Sequence, residues 1–559
     1  MKIHVLTTIL STALVFLHAG VRAQDQPISL TRGSSLDKAL DGSASHRYAI
    51  RLRHGESAEV TVTQRGMDLV LELFAPGGQR LASADAPTGR AGDEHLVIVG
   101  EVDGTYEVLV RPFDRNEPAG EYRIAVTAWR DEPATRIWLA ERAAARQSAS
   151  SWLKARAGAL QRRNGTIDGP GLERFDRLAA QSRVVGLGEA THGSRELGDV
   201  RLTLTRRLVE RHNVRVIGLE ASAARLRAID AWTRDGDGTA QQLTELFGAQ
   251  WIGHRPMLVL ARFVRAWNTA HPDDPVHLIG LDAQDNAPAR NTLSDFAGKA
   301  YDQAYAAQIH AVIERLAAAD AQASVFGPSD VRADDWRFLQ KLLGRLEVER
   351  PLLAARLGTT PVQAAVEAVR DLVQFAEFNT DSRDEPRRSR DWMMAANLLR
   401  AIEPHTRAVV WGHNAHVAHP ASRTGNAAPT GQILRELLGR EYGAVATSFL
   451  EGGFLAQLPN DSDHRLATFT LPPSPVESLD AVLDTMEIGD ALVTWPDQNS
   501  AEALPDWLDK SQLMHWIGAV FSDEWLPHQW VQPYRLVADF DGVVFLNKVE
   551  AEIVPGERR

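Results

Sequence analysis

Apolar and polar residues alternate through the first part of the chain. The segments 48–52, 58–62, 69–73, 95–99, 106–110 and 122–126 place apolar side chains at every second position, the period of a half-buried strand. Gly55, Gly66, Pro76-Gly77-Gly78, Gly104 and Gly120 punctuate them. Short strands at this even spacing predict a small antiparallel β-sandwich over 24–130. Asp131-Glu132-Pro133 ends the pattern, and a helical stretch follows from about 135 to 160, with Ile137, Leu139 and Trp152 as apolar anchors. Asn164-Gly165 then turns the chain, so 131–182 reads as a helical linker and entry into a second domain.

From 183 onward the alternation gives way to near-continuous apolar runs. These are 183–189, 214–220, 276–282 and 407–413, and they finish in Glu189, Glu220, Asp282 and His413. Helical segments lie between them; 195–212 puts Leu197, Val200, Leu204, Leu208 and Val209 on one stripe. Apolar strands alternating with helices specify an α/β fold, a mostly parallel sheet with helices on both faces. Ligands in such sheets bind beyond the carboxyl ends of the strands, so four strands ending in acids or an imidazole aim their chemistry at one crevice. Between 286 and 402 the pattern is helical and charged, at 303–319, 333–349, 361–378 and 390–402. This predicts a helical insertion at about 287–403 beside the crevice, as a lid or as a scaffold bundle. Strands resume near 443–449 and 491–495, and 534–547 reads as a final strand pair, closing a catalytic domain of 183–549.

Composition narrows the classes. A chain of 559 residues exceeds one core, and its formal net charge of −12 argues against a nucleic-acid partner or an anionic membrane surface. Cysteine is absent, which excludes disulfides, thiol catalysis and Cys-ligated zinc. Lys2 and His4 precede an apolar segment over 5–18, and Val21-Arg22-Ala23 supplies a small-residue cleavage site. Residues 1–23 therefore read as an export signal, the run being short for a span of about 20 residues. No later segment approaches transmembrane length, so the expected mature protein is periplasmic or secreted, without stable membrane insertion.

The densest chemistry lies at Glu189-Ala190-Thr191-His192-Gly193-Ser194-Arg195-Glu196. The preceding Gly186-Leu187-Gly188 only approaches a dinucleotide fingerprint: Thr191 replaces its third glycine, and Glu189 would meet the pyrophosphate. No Walker loop or Gly-x-Ser-x-Gly elbow occurs, and Ser194 is placed to cap the next helix. His192 is the candidate general base, with Glu189 three residues back to fix its tautomer; the bland reading is a backbone-bonded structural histidine. Arg195 opposes the helix dipole where it stands, so it serves a carboxylate or a developing oxyanion. Glu220 and Asp282 read as site carboxylates or as caps. His413-Asn414-Ala415-His416 offers a His-x-x-His that can join Glu189, His192 and Glu220 around a metal, or supply acid/base and oxyanion groups. His419 reads as surface.

Gly188 to Glu196, Leu219-Glu220, Gly280-Leu281-Asp282, Arg390-Asp391-x-x-Met394-Ala395-x-Asn397 and His413-Asn414-Ala415-His416 together resemble the erythromycin esterase family, in order from about 183 to 545. The resemblance implies hydrolysis of a small-molecule ester or lactone, in the best-known members a macrolactone, without metal or other cofactor. It implies His192 as base, Glu189 and Glu220 in support, and His413 and Arg195 lining the site. His416 lies beside them, and Asp282 and Glu196 complete the expected substrate contacts. Leu197-Gly198 stand where bulky aromatics are expected, which alters the pocket wall, and Ala221-Ser222-Ala223 are also smaller than usual. Gly104-Thr105-Tyr106 and Gly120-Glu121-Tyr122 resemble the pre-peptidase-type accessory domains of secreted bacterial enzymes. Two rival readings use the same residues: a metal-dependent hydrolase or peptidase, and a non-catalytic carbohydrate- or lipid-binding envelope protein.

Overall fold

In the N-terminal part, all six segments with period-two alternation form strands, and three more strands join them. The structure, a computed structural model, describes residues 26–553 apart from 43, 86–88, 114–116, 164, 236–242, 244–253, 323–330, 381–389, 421–427, 460, 462–464, 496–502 and 526–529. The candidate export segment lies outside these residues, as does Asn164. The chain divides into two compact units, Met1–Trp138 and Leu139–Arg559.

The first unit holds two sheets. One has the strand order Ile28–Leu30, His46–Leu52, Gly104–Pro112, Leu69–Phe74, Arg80–Ala84; the other runs Ser35–Leu40, Gly120–Arg130, Ser57–Arg65, Ala91–Val99. All pairs are antiparallel except Ile28–Leu30 with His46–Leu52. Tyr48, Ile50 and Val108 of the first sheet and Val60, Val62 and Ile124 of the second belong to one buried cluster. The three strands that alternation does not reveal, Ile28–Leu30, Ser35–Leu40 and Arg80–Ala84, are all sheet edges. Ile28–Leu30 is too short to show a period, and Ser35–Leu40 and Arg80–Ala84 bury almost none of their residues fully, which weakens the signal.

The linker helix spans Glu132–Lys154, and two of its expected anchors are not anchors. Ile137 and Leu139 are exposed, whereas Ala149 and Leu153 are fully buried and Trp152 packs partly against the same core.

The second unit is built on a nine-stranded sheet: β1 (Ala157–Ala159), β2 (Val184–Glu189), β3 (Val214–Ser222), β4 (His277–Asp282), β5 (Arg407–His413), β6 (Tyr442–Gln457), β7 (Leu466–Leu471), β8 (Ala491–Thr494) and β9 (Gly542–Val549). The order is β1-β8-β9-β6-β2-β5-β3-β4, with β7 against β6. The six strands from β9 to β4 are mutually parallel, and the remaining pairs are antiparallel. Successive residues supply opposite faces. Val409, Trp411, Val185 and Leu187 enter one core, and Ala408, Val410, Val184 and Val216 the other. Helix α1 (Arg195–His212) packs Leu197, Val200, Leu204, Leu208 and Val209 into the first of these. Leu197 therefore belongs to the core and not to a pocket wall.

The expected C-terminal strand pair is different in kind. Val531–Tyr534 pairs with Gln512–His515 as a separate ribbon, a short helix Leu536–Asp539 follows, and β9 alone enters the main sheet.

Among the described residues, five helices run between β4 and β5: α2 (Ala287–Ala300), α3 (Gln303–Gln322), α4 (Ala333–Leu357), α5 (Thr359–Asn379) and α6 (Arg390–Ala401). The first four share a core of their own, including Leu293, Leu316, Leu342 and Leu372. Helix α6 instead buries Met394 and Leu398 in the core of the sheet, which brings its first residue, Arg390, to the strand ends. Among the described residues no helix is long and apolar enough to cross a membrane.

Candidate active site

Strands β2, β5, β3 and β4 are neighbours in that order, so Glu189, His413, Glu220 and Asp282 stand at adjacent tips. Glu189 is in register with His413. The turn after β2 is closely packed. A Cβ on Gly188 would lie 2.3 Å from Asn414 Oδ1, and one on Gly193 would lie 2.0 Å from the Leu455 carbonyl oxygen. Asn414 ties the tips together, donating to the Thr447 carbonyl (2.7 Å) and accepting from the Thr447 amide (3.0 Å). Ser194 caps α1, accepting from the Leu197 amide.

His192 Nδ1 lies 2.8 Å from Glu189 Oε1, and the histidine side chain retains 22% exposure against 7% for the glutamate. The ring thus reaches solvent while its partner is sealed. The second oxygen of Glu189 pairs with Arg201, whose buried guanidinium also sits 4.6 Å over the Trp411 ring. Burial disfavours charge on His192, but the hydrogen bond and charge of Glu189, with help from Glu220, prevail and raise its pKa above the ordinary 6.5.

His413 is set up differently. Its Nδ1 accepts from the Ala415 amide at 3.2 Å, so in the neutral ring the proton is on Nε2. That nitrogen is buried without a partner of hydrogen-bond geometry, while the Ala190 backbone favours the charged ring. Burial, reinforced by the His192 charge, pushes its pKa down to about 3. The ring lies 5.5 Å from that of His192 and edge-on to Trp516 at 5.4 Å. The indole nitrogen of Trp516 and the hydroxyl of Thr191 in the same neighbourhood are likewise buried without partners.

Glu220 is the hub. Its Oε2 accepts from the His413 amide (2.8 Å), and its Oε1 meets Arg390 (2.8 Å) and His416 Nε2 (3.3 Å). Arg390 also grips Asp282 through its Nε at 2.8 Å. His416 Nδ1 contacts Asp391 Oδ1 at 2.7 Å, and Asp391 accepts from the amide and hydroxyl of Thr430. Although burial opposes it, Asp391 and Glu220 raise His416 to about 10. Although burial opposes that too, His416 and Arg390 hold Glu220 well below the usual carboxylate range.

Glu189, His192, Glu220, Asp282, His413 and His416 therefore converge. Arg195 and Glu196 do not join them: the Arg195 guanidinium engages Glu196 and Glu550, and Glu196 also accepts from the Glu550 amide at 2.6 Å. Of the two roles open to Arg195, serving a carboxylate is the one it fills. His419, read as surface, is 6% exposed and bonds Asp541 at 2.9 Å. Four residues in the cluster had no assigned role. Arg390 and Asp391 stand in a motif that carries the resemblance, but spacing gives them no function. Arg201 follows Leu197 by four positions on the apolar stripe of α1, and a charge there is a readable signal. Trp516 offers none. Among the described residues no three acid or imidazole groups are arranged to hold a metal ion.

The family model for erythromycin esterase matches residues 209–549, more than half of the chain. The chain belongs to the erythromycin esterase family. The match begins downstream of Glu189 and His192, which stand on the geometry above. Erythromycin esterase type I of Escherichia coli is 24% identical over 323 residues, 53% of this chain and 77% of that protein. Among solved structures, a Bacillus cereus protein aligns with a TM-score of 0.56 at 21% identity, over 73% of this chain and 99% of its own. An erythromycin esterase mutant in its open conformation aligns with a TM-score of 0.51 at 18% identity, over 68% and 96%. At these identities the solved structures establish the fold; the family membership makes the chain a hydrolase of the erythromycin esterase type.

Proposed function

We propose that this protein hydrolyses a carboxylic ester or lactone by general-base activation of water. The observation that carries the reading is one cluster holding three imidazoles in three protonation regimes. Groups whose environments push their pKa values apart mark acid and base roles. His192, with Nδ1 on Glu189, has Nε2 to take a proton from water as the oxygen attacks the carbonyl carbon. Electrons move onto the carbonyl oxygen, and the proton on neutral His413 Nε2 is the donor for that oxyanion. When the tetrahedral intermediate collapses, the ester C–O bond breaks and the His192 imidazolium returns its proton to the leaving alkoxide. Acid and alcohol result, or a hydroxy acid from a lactone. His416, carrying its proton at neutral pH, holds Glu220 in place with Arg390. Arg195, tied to Glu196 and Glu550, has no step in this scheme.

A panel of aryl esters, aliphatic lactones and macrolactones supplies the test. His192→Ala is expected to lower kcat/KM about 10³-fold, within the usual range for a lost general base, with an unchanged circular dichroism spectrum. Near-full turnover in that variant contradicts the assignment, and loss of wild-type activity with EDTA followed by rescue with Mn²⁺ or Zn²⁺ favours the metallohydrolase reading. Export is proposed on 1–23 alone, and recovery of a periplasmic chain beginning at Gln24 is its check.

A further inference from the structure

At the opposite end of the sheet, where β6 begins at Tyr442 and β8 ends, lies a cavity of about 520 Å³. The length of β2 separates it from the site above, roughly 20 Å at the usual strand rise. Five arginines line it, Arg156, Arg174, Arg177, Arg435 and Arg440, with one carboxylate, Asp541; Arg156 donates to the Trp152 carbonyl and stacks on its ring, and Arg435 donates to Asp541 and the Tyr442 carbonyl. That carboxylate is fully engaged: it accepts from His419 Nε2, Arg435 and the Ala444 amide, each at 2.9 Å. Arg174 and Arg177 stand one helical turn apart on the helix Gly171–Gln181. Among the described residues neither has an ion-pair or hydrogen-bond partner.

This cluster is anomalous in a chain with 73 acidic and 61 basic residues, where a cavity wall drawn at random would carry the two signs in near balance. Like charges held together destabilise the fold unless something neutralises them. Arg174 lies below the ordinary arginine value, first because of burial and then because of Arg177 and Arg156. Guanidinium forks match phosphate oxygens in pairs, and phosphate concentrates up to about two negative charges in a small volume. Trp495, which lines the same cavity, offers an apolar face beside them.

We propose that this cavity binds a compact anion bearing two or more phosphate groups. The inference does not depend on the ester-hydrolase reading, because its readout is binding.

The probe is inorganic triphosphate, titrated calorimetrically into the full chain at constant ionic strength set with NaCl. One triphosphate per chain is expected, with a Tm rise absent in NaCl alone. The double variant R174Q/R177Q should weaken binding about 10-fold or more, the usual effect of losing charge-assisted contacts. Its own Tm without ligand should equal or exceed the wild-type value, because a repulsion is relieved and no partner is lost. A purely structural role for the two arginines predicts a lower Tm instead. Vesicles containing phosphatidic acid, with and without competing triphosphate, separate a lipid headgroup from a free phosphate compound as the source. No triphosphate binding, or equal binding in the double variant, overturns the proposal.

Discussion

Three imidazoles sit within one cluster at the strand ends, and their neighbours assign them different work. His413 is buried with a backbone amide on Nδ1, so it stays neutral and keeps its Nε2 proton. If that proton serves the oxyanion, His413→Gln, which retains an N–H, should keep more kcat than His413→Ala, with KM little changed; equal losses contradict the role. His416 faces Asp391 and Glu220 and is raised to about 10. A raised histidine stabilises the native state fully below its unfolded pKa near 6.5. That contribution declines as pH climbs through the window and is gone above about 10. His416→Gln should therefore melt lower than wild type at pH 6, and the gap should close by pH 10. A gap independent of pH would assign the residue to packing alone. At this scale the sequence was partly legible. Glu189 and His192, three apart on a turn, announce their contact, whereas the partners of Arg195 are only half legible: Glu196 is its neighbour, but Glu550 comes from the distant end of the chain.

The elements explain how distant segments reach the strand tips. Helix α6 leaves the four-helix core of the insertion and packs on the sheet, which carries Arg390 between Glu220 and Asp282. Both carboxylates are nearly sealed, and a buried acid stripped of its cation costs about 3–5 kcal/mol. Arg390→Ala should lower unfolding stability by about that amount in denaturant titration and reduce turnover with it. A change below about 1 kcal/mol, the scale of an exposed pair, would place the guanidinium in solvent. Apolar runs ending in an acid or an imidazole make β2 to β5 readable, because strands buried on both faces have no other pattern. The ribbon of Gln512–His515 and Val531–Tyr534 was not readable. Its register depends on partners outside the local sequence, and with it Trp516, which edges His413, escaped notice.

Across the whole molecule, strand order does what no single motif does. Residues 189, 220, 282 and 413 are far apart in the chain, yet β2, β5, β3 and β4 lie side by side. The alternation of apolar strands and helices by itself implies that convergence. Strand order itself, and the return of the C-terminal segment to α1, are tertiary facts that pattern cannot supply. The central claim is that His192, raised by Glu189, takes the proton from water. The pH dependence of kcat/KM for an aryl ester, in wild type and Glu189→Gln, tests it most directly, since this ratio reports the free enzyme's essential base. Wild-type activity should rise with pH through a midpoint above 6.5, because the base works when neutral. Removing the Glu189 charge should move that midpoint to lower pH and reduce the plateau. A midpoint that stays in place or moves upward in Glu189→Gln would contradict the account.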